Sequence, residues 1–301
     1  MLNNRDRRKA ISPVPFLQEN DMGSLKTVSD KFEDKSIRLF SSWCWIKSDF
    51  ADDFEYLQKQ GLLVKNAPGT MCIWETRQKY VLKLTAPSGR SIACKKYHKF
   101  RNPQHFLNRP TPAGLEALNY QQILSMGIPA AKVLAAGEKR FLFFPREAFF
   151  ITGFLEGTSD GREFITGGKY TGKAEWKKEF IKKNIQYIAK FHDKEFHHKG
   201  FTPFNMLWKE KECSRQKEGD RLEIFWIDVA SCRKVKDRER LLPGKAEDFG
   251  HFFSFFDLTE EERKEYIRFY MENAHALESS FEEFFPMVEA CYNIKLQKRK
   301  Y

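Results

Sequence analysis

The stretch His198-Lys199-Gly200-Phe201-Thr202-Pro203-Phe204-Asn205-Met206-Leu207-Trp208 decides how the rest of the chain is read. It is a polar loop, turned by Gly200 and Pro203, that leads into an apolar run. Before it, Ile181, Ile185, Ile188 and His192 recur at helical spacing within Glu175 to His192. After it, Leu222-Glu-Ile-Phe-Trp-Ile-Asp228 reads as a strand ending on a carboxylate. Asn205 and Asp228 are the kind of oxygen ligands that a hard divalent cation takes. Each also has a purely structural explanation, an Asn in a turn and an Asp at a cap.

Working outward toward the N-terminus, the pattern from Gly61 onward is strand-like. Leu62-Leu63-Val64, Met71-Cys72-Ile73-Trp74, Tyr80 to Leu84 and Ser91 to Tyr97 are short runs of β-formers. Turn residues Asn66-Ala-Pro-Gly69 and Pro87-Ser-Gly89 separate them, which predicts an antiparallel meander. A short helix is expected near Asp49 to Gln60. Beyond the loop Arg101 to Pro112, a helix runs from about Ala113 to Ser125 and is closed by Gly127 and Pro129. Val133-Leu134 and Phe141 to Phe144 suggest a hairpin about Gly137-Glu138, and Phe149 to Leu155 a strand leading into a connector at 157–161.

Toward the C-terminus helices dominate: Asp248 to Phe256, Thr259 to Ala276 and Glu278 to Tyr292, with Thr259 and Glu262 spaced as a capping box. Strands with one helix, followed by helices around a small hairpin, predict a two-lobed α+β chain hinged near 154–160. The expected divisions are a flexible basic arm over 1–35, an N-lobe over 36–155 and a helical C-lobe over 156–301.

Composition narrows the function classes. The 301 residues hold 52 Lys+Arg against 41 Asp+Glu, a net charge of +11, so an anionic partner is expected: nucleotide phosphates, nucleic acid or an anionic membrane surface. Hydrophobic residues at 41% and charged residues at 31% exclude wholesale disorder. No apolar run approaches the ~20 residues of a membrane-spanning helix. The N-terminus from Met1 to Lys9 has charge without an apolar core, so it does not read as a secretory signal. Cysteines 44, 72, 94, 213, 232 and 291 contain no C-x-x-C pair, and reduced thiols in a cytoplasmic protein are expected. The 29 Phe fall largely in apolar runs such as Phe141–Phe144 and Phe252–Phe256, which read as core. That disfavours a nucleic-acid stacking platform, which needs exposed rings among basic residues.

Lys95, inside a strand, is followed by Glu116 in the next helix. A strand lysine that contacts phosphates needs such a carboxylate to hold its ammonium in place. Taken in order, these pieces resemble the bacterial lipopolysaccharide kinase family (Kdo and heptose kinases, WaaP-like), a branch of the protein-kinase-like fold. Ala93-Cys-Lys95-Lys-Tyr97 is similar to its strand-lysine segment. Pro112-Ala-Gly-Leu-Glu116, Met126-Gly-Ile-Pro129 and Ala136-Gly-Glu138 are similar to its first large helix and following strand. Phe150-Ile-Thr152 with Phe154-Leu155 resembles its hinge strand. Phe191-His192 and His198 to Leu207 resemble its catalytic loop, Ile227-Asp228 its metal-binding strand, and Ala246-Glu-Asp248-Phe249 a helix that braces the loop. The resemblance spans about residues 60–275.

The resemblance implies a bilobal fold with an antiparallel N-lobe sheet, and a kinase that uses ATP and Mg²⁺ on a sugar hydroxyl of a lipopolysaccharide core. Lys95 would contact the α- and β-phosphates, and Glu116 would orient it. Asn205 and Asp228 would hold Mg²⁺, His198 would pack beneath the loop, and Asp248 would anchor the loop backbone. Asn66-Ala-Pro-Gly69-Thr70 would cover the phosphates, without the repeated glycines of G-x-G-x-x-G. One departure stands out. Kinase loops read H-R-D-x-x-x-x-N, and here the Asp position is Gly200, which has no base to offer. A nucleotide-binding pseudokinase is therefore the alternative, and Asp160, Asp193 and His197 are near enough in sequence to be considered as substitutes.

The surplus charge also acquires expected roles. Arg101, Arg109, His98, Lys99 and His105 form a basic rim for an anionic glycolipid acceptor. The cluster Arg5, Arg7, Arg8 and Lys9, with Lys295, Lys298, Arg299 and Lys300, would suit peripheral contact with anionic lipid at the cytoplasmic face of the inner membrane.

Overall fold

A computed structural model describes residues 26–31, 41–211, 220–235, 237–277 and 279–299. The basic cluster at Arg5 to Lys9, Cys213, Glu278 and Lys300 lie outside the described residues. The chain forms two compact units, residues 1–109 with 134–151, and residues 110–133 with 152–301.

The first unit is built on seven strands: β1 (Lys26–Ser29), β2 (Trp43–Lys47), β3 (Met71–Glu75), β4 (Lys79–Thr85), β5 (Ser91–Tyr97), β6 (Val133–Phe141) and β7 (Phe144–Gly153). Their order in the sheet is β1-β2-β6-β7-β5-β4-β3. The meander β3-β4-β5 is antiparallel as expected, while β1 pairs parallel to β2. Strand β1 lies within the stretch expected to be a flexible arm. The core gathers Ile46, Phe54, Leu82, Leu84, Ile92, Cys94 and Phe149. Alternation along β5 puts Ile92, Cys94 and Lys96 on the buried face, so Lys95 lies on the other one. Lys96 is 3.8 Å from Glu147, and burial lowers its pKa.

Three readings of this unit are corrected. Leu62-Leu63-Val64 is not a strand. Helix α1 (Ala51–Lys59) ends at Gly61, φ +64°, where Gly61 N–H donates to Gln58 O (3.0 Å) and Leu62 N–H to Leu57 O (2.9 Å). Those two bonds are a Schellman stop, and the apolar run after it supplies Leu63 to the core. The expected turn at Gly137-Glu138 is likewise the interior of β6. Gly137 is needed there because a Cβ would lie 2.7 Å from the Phe149 ring and 2.9 Å from Trp43 O. The reversal occurs at Leu142-Phe143, with φ of 48° and 70°, and Phe141 to Phe144 are exposed instead of core. A bulky residue in that region costs roughly 1–2 kcal/mol.

The second unit contains α2 (Pro112–Ser125), α3 (Ala174–Asp193), α4 (Arg238–Phe253), α5 (Glu260–Asn273) and α6 (Phe281–Arg299). Two small sheets complete it: β8 (Ser159–Asp160), β10 (Met206–Glu210) and β11 (Leu222–Trp226) in the order β11-β10-β8, and β9 (Phe196–His197) with β12 (Arg233–Lys234). Helix α2, expected with the strands, is counted in this unit. Pro112 opens it at the first turn, and Gly127, φ +70°, closes it. The Thr259–Glu262 capping box forms as read, with Glu262 N–H on Thr259 Oγ1 (3.2 Å) and Thr259 N–H on Glu262 Oε2 (2.7 Å). Helix α4 begins ten residues before the expected Asp248, since Asp237 caps it through Glu239 N–H at 3.0 Å. The core is largely aromatic, with Phe164 stacked on Phe180 at 4.4 Å and Phe201 tilted against Phe252 at 4.6 Å. No described helix is long and apolar enough to cross a membrane. Among the described cysteines all five are free thiols, and burial pushes Cys94 up to about 12.

Candidate active site

The loop His198–Asn205 hangs from Asp248, which α4 buries beneath it. Asp248 Oδ2 accepts His198 N–H at 2.7 Å and Oδ1 accepts Lys199 N–H at 2.8 Å. His192 Nε2 lies 3.3 Å from Oδ2 and His197 Nε2 3.4 Å from Oδ1. Burial alone would raise the Asp248 pKa. Hydrogen bonds from His192 and His197 win, and hold it well below the usual carboxylate range. His192 is fixed from its other nitrogen by Tyr270 Oη at 2.9 Å. Asp248 thus accepts two backbone N–H groups of the loop.

His198 lies among the rings of Phe191, Phe201 and Trp226, and burial lowers its pKa to about 4. It is neutral at physiological pH, with Nδ1 facing Gly200 N–H at 3.3 Å. Lys199, φ +61°, takes the left-handed turn of the loop.

Asn205 Nδ2 donates to Gly200 O at 2.8 Å, closing the loop on itself. With the amide nitrogen so committed, the carboxamide oxygen is the atom that could serve a cation. Ile227 N–H donates to Asn205 O at 2.9 Å, which brings Asp228 beside it. Asp228 is itself left-handed, φ 53° and ψ 51°, and it leads a short 3-10 turn, Val229–Ser231. Ser231 Oγ donates to His198 O at 3.1 Å and ties this turn to the loop.

Helix α2 packs against the same turn. Glu116, Asn119 and Tyr120 share one face at helical spacing. Asn119 Nδ2 donates to Val229 O (2.8 Å) and Cys232 O (3.0 Å). Burial raises the Tyr120 pKa strongly, and the charges of Glu116 and Asp228 add to it. Glu116 is fully buried. Asn119 and Tyr120 were missed in the sequence, although their spacing from Glu116 marks them as its neighbours.

Glu116, His198, Gly200, Asn205, Asp228 and Asp248 thus all belong to the second unit. Lys95, Gly69 and Thr70 belong to the first. In the turn before β3, Thr70 spends both its N–H (3.1 Å) and its hydroxyl (2.7 Å) on Ala67 O, which leaves it little to offer a phosphate. The turn next to the Lys95 strand is Thr76-Arg77-Gln78, where Gln78 O accepts His98 N–H at 3.1 Å and Lys99 N–H at 3.3 Å. It carries Arg77 and no glycine, so no turn motif marked it.

Each side chain considered in place of the loop carboxylate is engaged. Asp193 Oδ1 accepts His275 and Ala276 N–H at 2.9 Å each. Asp160 Oδ1 accepts Arg162 N–H at 2.7 Å, and its other oxygen pairs with the Arg162 guanidinium at 3.0 Å. His197 faces Asp248. Among the described residues no cluster of three His, Cys, Asp or Glu forms a metal site. Two oxygen donors, one carboxamide and one carboxylate, nevertheless suit Mg²⁺, which keeps waters and substrate phosphates in its other positions.

Two of the C-terminal basic residues have partners within the second unit. Lys295 lies 3.4 Å from Glu247, and Arg299 sits 3.2 Å over the Phe255 ring while bonding Ser254 O. Both charges are spent within the second unit. Lys99, Arg101, His105 and Arg109 are exposed, as a basic rim requires. His98 instead stacks on Tyr80 at 5.4 Å, and burial lowers its pKa.

A fold of this kind with a braced loop, a loop Asn and a strand-end Asp is protein-kinase-like. The solved structure of WaaP in complex with acyl carrier protein matches at TM-score 0.55 and 13% identity, over 81% of this chain and 91% of that one. Rio2 kinase from Chaetomium thermophilum is 11% identical over 82% and 76% at TM-score 0.43. Amicoumacin kinase hAmiN is 13% identical over 83% and 87% at TM-score 0.41. Residues 93–270 match the lipopolysaccharide kinase (Kdo/WaaP) family, and the chain belongs to that family. Comparison with curated proteins finds no match.

Proposed function

We propose that this chain is an ATP- and Mg²⁺-dependent phosphotransferase acting on a sugar hydroxyl, Kdo or heptose, of the lipopolysaccharide inner core. The observation that carries it is Asn205, on a loop suspended from Asp248, whose backbone carbonyl accepts from Ile227 N–H next to Asp228, in a member of this family. Lys95 neutralises the α- and β-phosphates. Asn205 and Asp228 would hold the metal, which would supply charge neutralisation for phosphoryl transfer. Arg101 and Arg109 attract the anionic glycolipid at the cytoplasmic face of the inner membrane.

Gly200 determines how fast this proceeds. Phosphoryl transfer through a loose transition state depends mainly on positioning and charge, so the sugar proton can depart late without a carboxylate. The expected rate is slow. Purified protein with MgATP should label a Kdo- or heptose-bearing lipid A, and Lys95→Ala should lower that transfer roughly 10²–10³-fold. Absence of any label with every acceptor tried would sink the reading. A second reading, a nucleotide-binding pseudokinase, is favoured by the engagement of Asp160, Asp193 and His197 elsewhere.

A further inference from the structure

The end of the β6–β7 hairpin has no role in the chemistry above. Phe141, Leu142, Phe143 and Phe144 are 57, 68, 55 and 38% exposed, the longest run of exposed large hydrophobics among the described residues. Three features distinguish it from a chance surface patch.

The first is backbone conformation. Leu142 and Phe143 both have positive φ, a two-residue turn for which Asn-Gly is the ordinary choice. Two large apolar residues held in this disfavoured conformation mark the turn as a candidate for use.

The second is rigidity. Buried Arg140 bonds Glu138 Oε1 (2.6 Å), Phe106 O (2.8 Å), Phe143 O (2.9 Å) and Arg109 O (3.4 Å). One guanidinium thus locks the turn to its own strand and to the loop at 106–109. The tip is presented by the fold.

The third is charge. Exposed Arg146 lies 5.4 Å from the Phe141 ring, and the loop that Arg140 ties down carries Arg101, His105 and Arg109, all exposed. The nearby carboxylates are occupied, Glu138 by Arg140 and Glu147 by Lys96. An apolar tip with a cationic collar matches a bilayer with anionic headgroups, rings at the acyl boundary and guanidinium groups at phosphate depth. Four residues at a hairpin end offer far less than the ~1,200 Å² that a stable protein interface buries.

We propose that the β6–β7 hairpin end is a membrane-docking wedge that seats the protein on an anionic phospholipid surface. It depends neither on nucleotide nor on turnover, so it stands or falls apart from the phosphotransferase reading. The test is co-sedimentation of the full chain with vesicles of phosphatidylglycerol and phosphatidylethanolamine, against vesicles of phosphatidylcholine. The wild type should bind the anionic vesicles, less as salt rises. Leu142→Asn with Phe143→Gly gives the turn the residues it prefers, so folding is retained or improved while vesicle binding falls at least about tenfold. Arg109→Glu with Arg146→Glu should erase the preference for anionic lipid. Equal vesicle binding by wild type and the turn variant overturns the proposal, as does failure of the wild type to bind. A turn variant that changes only the oligomeric state assigns the tip to protein contact and overturns it too.

Discussion

Asp248→Ala is expected to lower the unfolding free energy by about 3–5 kcal/mol, the scale for removing one partner from a buried charged network. The carboxylate is 1% exposed and takes two backbone N–H groups and two imidazoles. Alanine would leave His198 N–H and Lys199 N–H without an acceptor, at about 1–3 kcal/mol each for a buried donor. The left-handed Lys199 would lose the bond that holds it there. Asp248→Asn keeps one acceptor oxygen and should cost less. Urea denaturation gives the magnitude, and amide exchange at His198 and Lys199 gives the location. An alanine variant within about 1 kcal/mol of wild type, with both amides still protected, would show that the loop does not depend on this brace.

Gly200→Asp is expected to raise phosphoryl transfer by roughly 10²–10⁴-fold, the usual contribution of a positioned general base. The position does not require glycine. Gly200 is absent from the residues with positive φ, whereas its neighbour Lys199 adopts that conformation. A Cβ would meet Ser231 Oγ at 3.1 Å, Asn205 Nδ2 at 3.5 Å and His198 Nδ1 at 3.8 Å. Only the Ser231 hydroxyl must yield, by a few tenths of an ångström, and Ser231→Ala in the same chain removes that contact. An aspartate would then stand beside Asn205, the metal ligand of the proposed function, at the loop position where kinases carry theirs. Gain from an inert wild type favours the pseudokinase reading, and gain from a slow one favours the phosphotransferase. A variant that binds nucleotide normally and transfers no faster would show that the missing carboxylate does not limit the rate.

Much of this arrangement was legible because it rests on local chemistry. Gly127 closing α2, the Thr259–Glu262 box and the alternation that turns Lys95 away from the core follow from side chains a few residues apart. The order of Lys95, Glu116, the loop and Asp228 was legible in another way, through its resemblance to the lipopolysaccharide kinase family, which implied the fold class. What escaped depends on partners distant in sequence. Leu62 to Val64 has the composition of a strand, but Gly61 spends it on a helix stop. Gly137 reads as a turn until Phe149 and Trp43 crowd its missing Cβ. Phe141 to Phe144 is apolar whether it points into the core or into solvent, and hydrophobicity cannot distinguish the two. Asn119 carries no signal of its own in the sequence, because its acceptors, Val229 O and Cys232 O, lie on a turn over a hundred positions away.

The most direct test of the central claim is the thermal stability of the full chain titrated with ATP, with and without Mg²⁺. Ligand binding stabilises the folded state as RT ln(1 + [L]/Kd), about 2.7 kcal/mol at a hundredfold excess over Kd, so even weak binding is read at high ligand. The account expects stabilisation that needs Mg²⁺ and that Asp228→Asn and Lys95→Ala each largely remove. Wild-type protein indifferent to MgATP, or stabilised equally after Asp228→Asn, would contradict it.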